Sequence, residues 1–353
     1  MKKLFIFILS LMTSFILFAE ELHVFKMNGK YGYFDEEMKV KIQPQYDKAE
    51  EFVGDYAIVA TEIRKEKFQY SVINKENKIV DSKLDCSEEL LLITENLYYN
   101  NWNSFLYNIK TKKDYNCQFA RGEYIYSGED FYIPVEKNNR EVPCYITLDG
   151  NDFNISGEWL KLYPMKSGMA FAVKKNFDQL IIDEKGNEIV TEVANAGYNF
   201  SEGFLPVETS KRSGYISNKG EFVIQCKFYT AEFNPPNLLY PFNEGVAVVQ
   251  QKKDEWYIFD NHGKYIMLSS EYTPMTSYLR PSIFSNGRLL VSKADKNRNK
   301  KYGYLNKQGK EAIPCIYTEE SPFENGYAMV VYNNEDGIID KNGKFYASSS
   351  LNK

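Results

Sequence analysis

Nine times along this chain two apolar or aromatic residues precede a residue with a side-chain oxygen, and that recurrence constrains the fold more than any other feature. The pairs are Tyr33-Phe34, Val72-Ile73, Leu106-Tyr107, Tyr145-Ile146, Ile181-Ile182, Tyr215-Ile216, Ile258-Phe259, Tyr304-Leu305 and Ile338-Ile339. The oxygen bearers that follow are Asp35, Asn74, Asn108, Thr147, Asp183, Ser217, Asp260, Asn306 and Asp340. Each can accept a backbone N–H two residues on, in the Asx or Ser/Thr turn that starts a chain reversal. Glycine stands three residues after the oxygen in six of the nine, at Gly150, Gly186, Gly220, Gly263, Gly309 and Gly343. A tight connection most often needs a positive φ there. The steps between oxygen bearers are 39, 34, 39, 36, 34, 43, 46 and 34 residues. A step that returns to 34 and otherwise only lengthens is a repeat with loop insertions.

The rest of the unit has the same order each time. After the turn comes a second β-rich run, as in Val40-Lys41-Ile42, Glu188-Ile189-Val190, Phe222-Val223-Ile224 and Ala312-Ile313. An aromatic-x-x-Gly element follows at Phe200 to Gly203, Phe242 to Gly245, Phe284 to Gly287 and Phe323 to Gly326. It leads into apolar strands such as Val246 to Val249 and Tyr327 to Val331, whose unbroken apolarity predicts burial on both faces. The abundance of Tyr (28) and Phe (24) favours strands over helices. No stretch after the first twenty residues has a 3.6-residue period.

Lys30-Tyr31-Gly32-Tyr33-Phe34-Asp35 and Lys301-Tyr302-Gly303-Tyr304-Leu305-Asn306 resemble the unit of the bacterial WG-repeat family, approximately Lys-Trp-Gly-Tyr-Ile-Asp. Gly214-Tyr215-Ile216-Ser217 and Gly337-Ile338-Ile339-Asp340 are looser matches. The family's tryptophan is tyrosine in the two best units, and Trp256 lacks the following glycine. Units between about 68 and 164 are degenerate. The resemblance implies a β-repeat architecture and supplies no catalytic residues to transfer.

A meander of three or four short strands cannot bury both faces alone and must stack on its neighbours. The expected class is therefore all-β, with tandem short β-meander repeats in a propeller-like arrangement; the alternative is an open twisted β-repeat array. Propellers usually have 4–8 blades. Nine units come within that range if the first and last share one blade, with Leu22 to Phe25 and Phe345-Tyr346 closing the ring.

Lys2 and Lys3, the charge-free run Leu4 to Phe18, and Ala19 before Glu20-Glu21 read as a secretory signal over residues 1–19, leaving an array over 20–353. The run is shorter than the roughly 20 residues of a bilayer span. The bulk of Leu17 leaves an uncleaved anchor as the alternative. No cysteine lies near the cut, against a lipid anchor, and no later stretch reads as a membrane span. The expected location is the periplasm, cell surface or exterior. A net charge of −5 argues against a nucleic-acid partner. The one basic cluster, Lys296, Arg298, Lys300 and Lys301, reads as a solvated loop.

Candidate chemistry is sparse. The two histidines, His23 and His262, make no zinc cluster, and His262 falls in a repeat turn. Asp35, Asp183, Asp260 and Asp340 share their position with Asn, Ser and Thr, which cannot do a carboxylate's acid–base work, so turn-making explains them. No nucleophile elbow, phosphate loop or dinucleotide fingerprint is present, and no catalytic residue, cofactor or metal site is expected. Cys117, Cys226 and Cys315 each lie nine residues after their turn oxygen, positions too far apart in space to bridge, and read as small buried thiols. Cys86 and Cys144 remain, and their pairing is open.

The two longest steps carry proline-rich insertions, around Asn234 to Pro241 and Tyr272 to Pro281. Insertions in repeat proteins map to loops, often on the binding face. Leu238, Leu239, Tyr240, Tyr278 and Leu279 are thus the candidate binding patch, against the plainer reading that the loops drifted in length. The leading functional reading is a non-enzymatic binding or scaffold protein engaging a protein or a glycan. Its rivals are a propeller-type glycoside hydrolase with paired carboxylates and a purely structural spacer.

Overall fold

A computed structural model describes residues 21–86, 90–94, 97–100, 105–117, 131–137, 142–147, 151–191, 193–196, 200–209, 213–226, 240–252, 255–275 and 283–351. These residues form strands and turns, with one 3-10 turn at Ser348–Ser350. Among them no helix is long and apolar enough to cross a membrane. The signal-like segment, Gly150, and Leu238, Leu239, Tyr278 and Leu279 of the candidate patch lie outside the described residues.

Every signature pair lies on a strand, and each strand belongs to its own small antiparallel meander, giving nine units in chain order. The ninth shows the plan: Glu319–Glu320, Tyr327–Tyr332, Glu335–Asp340 and Phe345–Ala347 pair in that order, with Ile338-Ile339 on the third strand. The second, sixth and eighth units have the same four-strand order. The third, fourth and fifth are also joined edge to edge, through Lys113–Cys117 with Phe131–Lys137 and the latter with Met165–Lys166.

The turn oxygens do what their chemistry requires. Asp183 Oδ1 accepts the backbone N–H groups of Lys185 and Asn187, both at 2.8 Å. Asp260 accepts those of His262 at 3.0 Å and Lys264 at 2.9 Å, and Asn306 those of Gln308 at 3.0 Å and Lys310 at 3.1 Å. Asp35, Asn74, Asn108, Thr147, Ser217 and Asp340 accept in the same way. Asp295 adds a tenth such turn in the basic insertion, accepting from Asn297 and Asn299, with Lys296, Arg298 and Lys300 exposed around it.

Two glycines show why the repeat needs them. Gly309 has φ +69°, which a side chain rarely adopts. Gly303 has ordinary φ, but a Cβ there would lie 2.7 Å from the backbone of Ile313, Pro314 and Cys315. The partner strand bulges at that point, between the pairs Tyr302↔Tyr317 and Tyr304↔Ile313, and brings its backbone onto the glycine. Gly32 meets Ile42 to Pro44 in the same manner, so the glycine of the motif makes room for a bulge.

Stacking follows from burial on both faces. In the second unit Ala57, Val59 and Ile73 pack toward the first, and Ile58, Ala60, Tyr70 and Val72 toward the third. Among the described residues nine apolar clusters occupy nine junctions. The ninth joins Phe25 and Phe34 of the first unit to Ile338 and Leu351 of the last. Lys26 Nζ donates to Glu319 Oε2 at 3.0 Å, and Ser348 Oγ donates to the Lys26 carbonyl at 2.5 Å across the same junction. The array closes on itself as a propeller-like ring. It does so by face packing, which corrects the expected shared blade: Leu22–Met27 pairs only within the first sheet, and Phe345–Ala347 only within the last.

Candidate functional site

The signature tyrosines tie units together. Tyr33, Tyr145, Tyr215 and Tyr304 are fully buried, and each donates its O–H to a backbone carbonyl of the next unit. The acceptors are Glu50 at 2.8 Å, Tyr163 at 2.6 Å, Tyr240 at 2.9 Å and Ser321 at 2.7 Å. Each acceptor lies two residues before the large apolar residue of a tight turn, Phe52, Met165, Phe242 or Phe323. Three of the tyrosine rings meet the turn phenylalanine edge-on at 4.9 Å.

This placement decides the fate of Tyr240. It is buried at 6% exposure, lies parallel to Trp256 with centroids 6.4 Å apart, and belongs to the cluster between the seventh and eighth units. Tyr240 is therefore a core residue and not part of an exposed patch. It misled because it follows a proline-rich insertion, whereas its register, two residues before Phe242, is the repeat's own.

The turns after those phenylalanines are tight reversals in which both central residues have positive φ, such as Glu202-Gly203, Glu244-Gly245, Asn286-Gly287 and Asn325-Gly326. They form a relay from unit to unit. Ser201 Oγ donates to the Phe242 carbonyl, Asn243 Nδ2 to that of Phe284, and Ser285 Oγ to that of Phe323, each at 2.6 Å. Glu202 and Glu244 in turn accept the N–H of Gly245 at 2.7 Å and Gly287 at 2.8 Å.

At the seam between last and first units the pattern changes. The position held by Ser201, Asn243 and Ser285 is Glu324, and it shares a pocket of about 110 Å³ with Glu50 and Glu51 of the second unit's turn segment. Glu51 Oε1 accepts the Val24 N–H at 3.2 Å. Its Oε2 is buried with no hydrogen-bond partner among the described residues. Burial, then the charge of Glu324, pushes the Glu51 carboxyl well above the usual carboxylate range, with Glu50 adding to the shift and the Val24 N–H opposing it. Tyr31, Ser321 and Tyr327 also line the pocket. Sequence reading missed Glu51 and Glu324; the available signal was a carboxylate at Glu324 where the sixth to eighth units carry Ser201, Asn243 and Ser285.

His23 lies close by, buried between the rings of Phe34 and Tyr327 at 5.3 and 5.1 Å, and burial lowers its pKa. His262 is an exposed turn residue. Cys315 is half-buried as a reduced thiol whose pKa burial raises to about 12. Cys144 is buried; the side chains of Cys86, Cys117 and Cys226 lie outside the described set. Among the described residues no group of three or more His, Cys, Asp or Glu is arranged to hold a metal ion.

Residues 31–61, 214–256 and 302–335 match the family model of the WG containing repeat. The chain carries WG repeats in these three regions. Gly32 and Gly303, each facing a bulge, and Tyr33, Tyr215 and Tyr304, two residues before their turn oxygens, lie inside those matches. No curated protein matches the chain significantly. Among solved structures it is similar to a puromycin hydrolase mutant complexed with PGG, at 11% identity and TM-score 0.39, over 84% of this chain and 52% of that one. It thus spans about half the length of that hydrolase. It is also similar to KlHsv2 with loop 6CD replaced by a Gly-Ser linker, at 9% identity and TM-score 0.35, over 78% of this chain and 89% of that one. Likenesses this distant carry no argument about activity. The WG repeats favour a repeat-based binding or scaffold role.

Proposed function

We propose that this WG-repeat chain is a non-enzymatic binding or scaffold protein, exported to the cell envelope or beyond, whose partner is a protein or a glycan. The observation that carries this reading is where the repeated polar groups go. The nine turn oxygens accept backbone N–H groups within their own turns. The four buried tyrosine hydroxyls bind the next unit. The repeat chemistry is consumed in building a rigid ring, and function falls to the loops and edges that differ between units. The export component rests on residues 1–19 alone.

A hydrolase reading has one observation in its favour, the neighbouring carboxylates Glu51 and Glu324 with the Glu51 pKa raised. Their pocket of about 110 Å³ is small against the roughly 300–1,000 Å³ of ordinary small-molecule sites, and a sugar flanked by both carboxylates needs more room. The test is crosslinking capture with the mature chain in envelope extract, alongside N-terminal sequencing and turnover of chromogenic glycosides. One specifically retained protein or glycan, a start at Glu20 and no turnover support the proposal. Turnover abolished by Glu51→Gln would replace it with the hydrolase.

A further inference from the structure

The seam pocket differs in composition from the junctions between the sixth and ninth units. In the sixth to eighth units the residue after the turn phenylalanine donates a hydrogen bond across to the next unit. The ninth unit puts Glu324 there, and across the seam stands another carboxylate, Glu51, in the same pocket. The pocket therefore gathers three carboxylates, Glu50, Glu51 and Glu324, where its counterparts had a donor meeting an acceptor. Glu51 uses Oε1 on the Val24 N–H, while its buried Oε2 lacks a donor among the described residues. A buried acceptor left without a donor carries a desolvation cost that a bound donor would relieve.

What fits is limited by charge, size and donor type. The site calls for a cation with N–H donors, whose charge would favour ionised Glu51 against the burial that opposes it. A bare metal ion is disfavoured, since Glu50, Glu51 and Glu324 are not arranged as a metal-holding group. A volume of about 110 Å³ admits a compact head group on a short stem. The rings of Tyr31 and Tyr327 on the wall suit a cation and its methylene groups, as aromatic rings do for ammonium ligands elsewhere. We propose that the pocket between the first and last units binds a primary alkylammonium group, with Glu51 and Glu324 as its acceptors. A bound cation there would bridge chain segments that only ring closure brings together, so occupancy would also tighten the seam.

The test is isothermal titration calorimetry of the full mature chain with n-butylammonium chloride and, separately, with Nα-acetyl-lysine amide, at neutral pH and fixed ionic strength. Nα,Nε-diacetyl-lysine amide, which lacks the charge, is the control. Saturable one-to-one binding of the charged probes, absent with the control, is expected. Glu51→Gln keeps an oxygen for the Val24 N–H and should weaken binding at least tenfold; Glu324→Gln should do likewise. Tighter binding of the lysine probe would identify a peptide lysine as the source of the group, and equal binding a free amine. No saturable binding of either cation overturns the proposal, as does unchanged affinity in folded Gln variants. If Glu51→Gln fails to fold, Glu324→Gln decides, its turn backbone being held by the Glu324–Tyr327 bridge.

Discussion

Replacing Tyr304 by phenylalanine isolates one inter-unit hydrogen bond. Tyr304 is fully buried, donates to the Ser321 carbonyl at 2.7 Å, and meets Phe323 edge-on at 4.9 Å. Phenylalanine keeps the ring and its contact, leaves almost no cavity, and deletes only the donor. The net worth of the bond is about 1 kcal/mol, and a carbonyl stranded in the core adds desolvation, so the expected loss is about 1–3 kcal/mol. Tyr304→Ala, which empties the site as well, should cost about 3–5 kcal/mol on the scale of large-to-small aromatic truncations. Urea unfolding followed by fluorescence or circular dichroism reads both, as a lower midpoint at unchanged slope. The same bond recurs at Tyr33, Tyr145 and Tyr215, so their phenylalanine variants should lose comparable amounts. A Tyr304→Phe protein within about 0.3 kcal/mol of wild type would refute the claim that these hydroxyls hold neighbouring units together.

Gly309→Val should cost at least about 1 kcal/mol, from the positive φ and from a Cβ 3.0 Å from the Leu268 side chain, whereas Asn306→Asp keeps the turn acceptor and should be nearly silent; urea midpoints check both. The folded Glu51 carboxyl titrates above its unfolded value near 4.5, so its stability contribution is full below that pH and is lost as pH rises through the folded value. Wild type should accordingly lose stability relative to Glu51→Gln as pH rises from acid to alkaline conditions; parallel pH profiles of the two melts would contradict this. Cys315, with its thiol raised to about 12, should resist iodoacetamide at pH 8 in the native state and react on unfolding, a difference that mass spectrometry of the labelled peptide records.

The reversals were legible because their causes are local: an oxygen at Asp183 or Asn306 reaches backbone groups two and four residues away, and no distant contact is needed. Burial on both faces was legible for a similar reason, since the continuous run Val246 to Val249 offers Val246 and Val248 to one side of its sheet and Ala247 and Val249 to the other. Tyr240 was misplaced because composition around a proline-rich insertion outweighed its register, and register tracks the core. The motif glycine had a visible position but no visible cause; only the bulge opposite Gly303 supplies it.

By itself the sequence determined the repeat, its turns, its strand class and the need for each unit to be sandwiched, because periodicity and side-chain chemistry act over a few residues. Whether the stack would close was a matter for the tertiary structure, since closure depends on the small rotation added at every junction and no single unit encodes that total. Phe25 and Phe34 meet Ile338 and Leu351 only once all nine units are in place. The same closure brings Glu51 against Glu324, two carboxylates from distant parts of the chain whose shared pocket exists only when the last unit reaches the first.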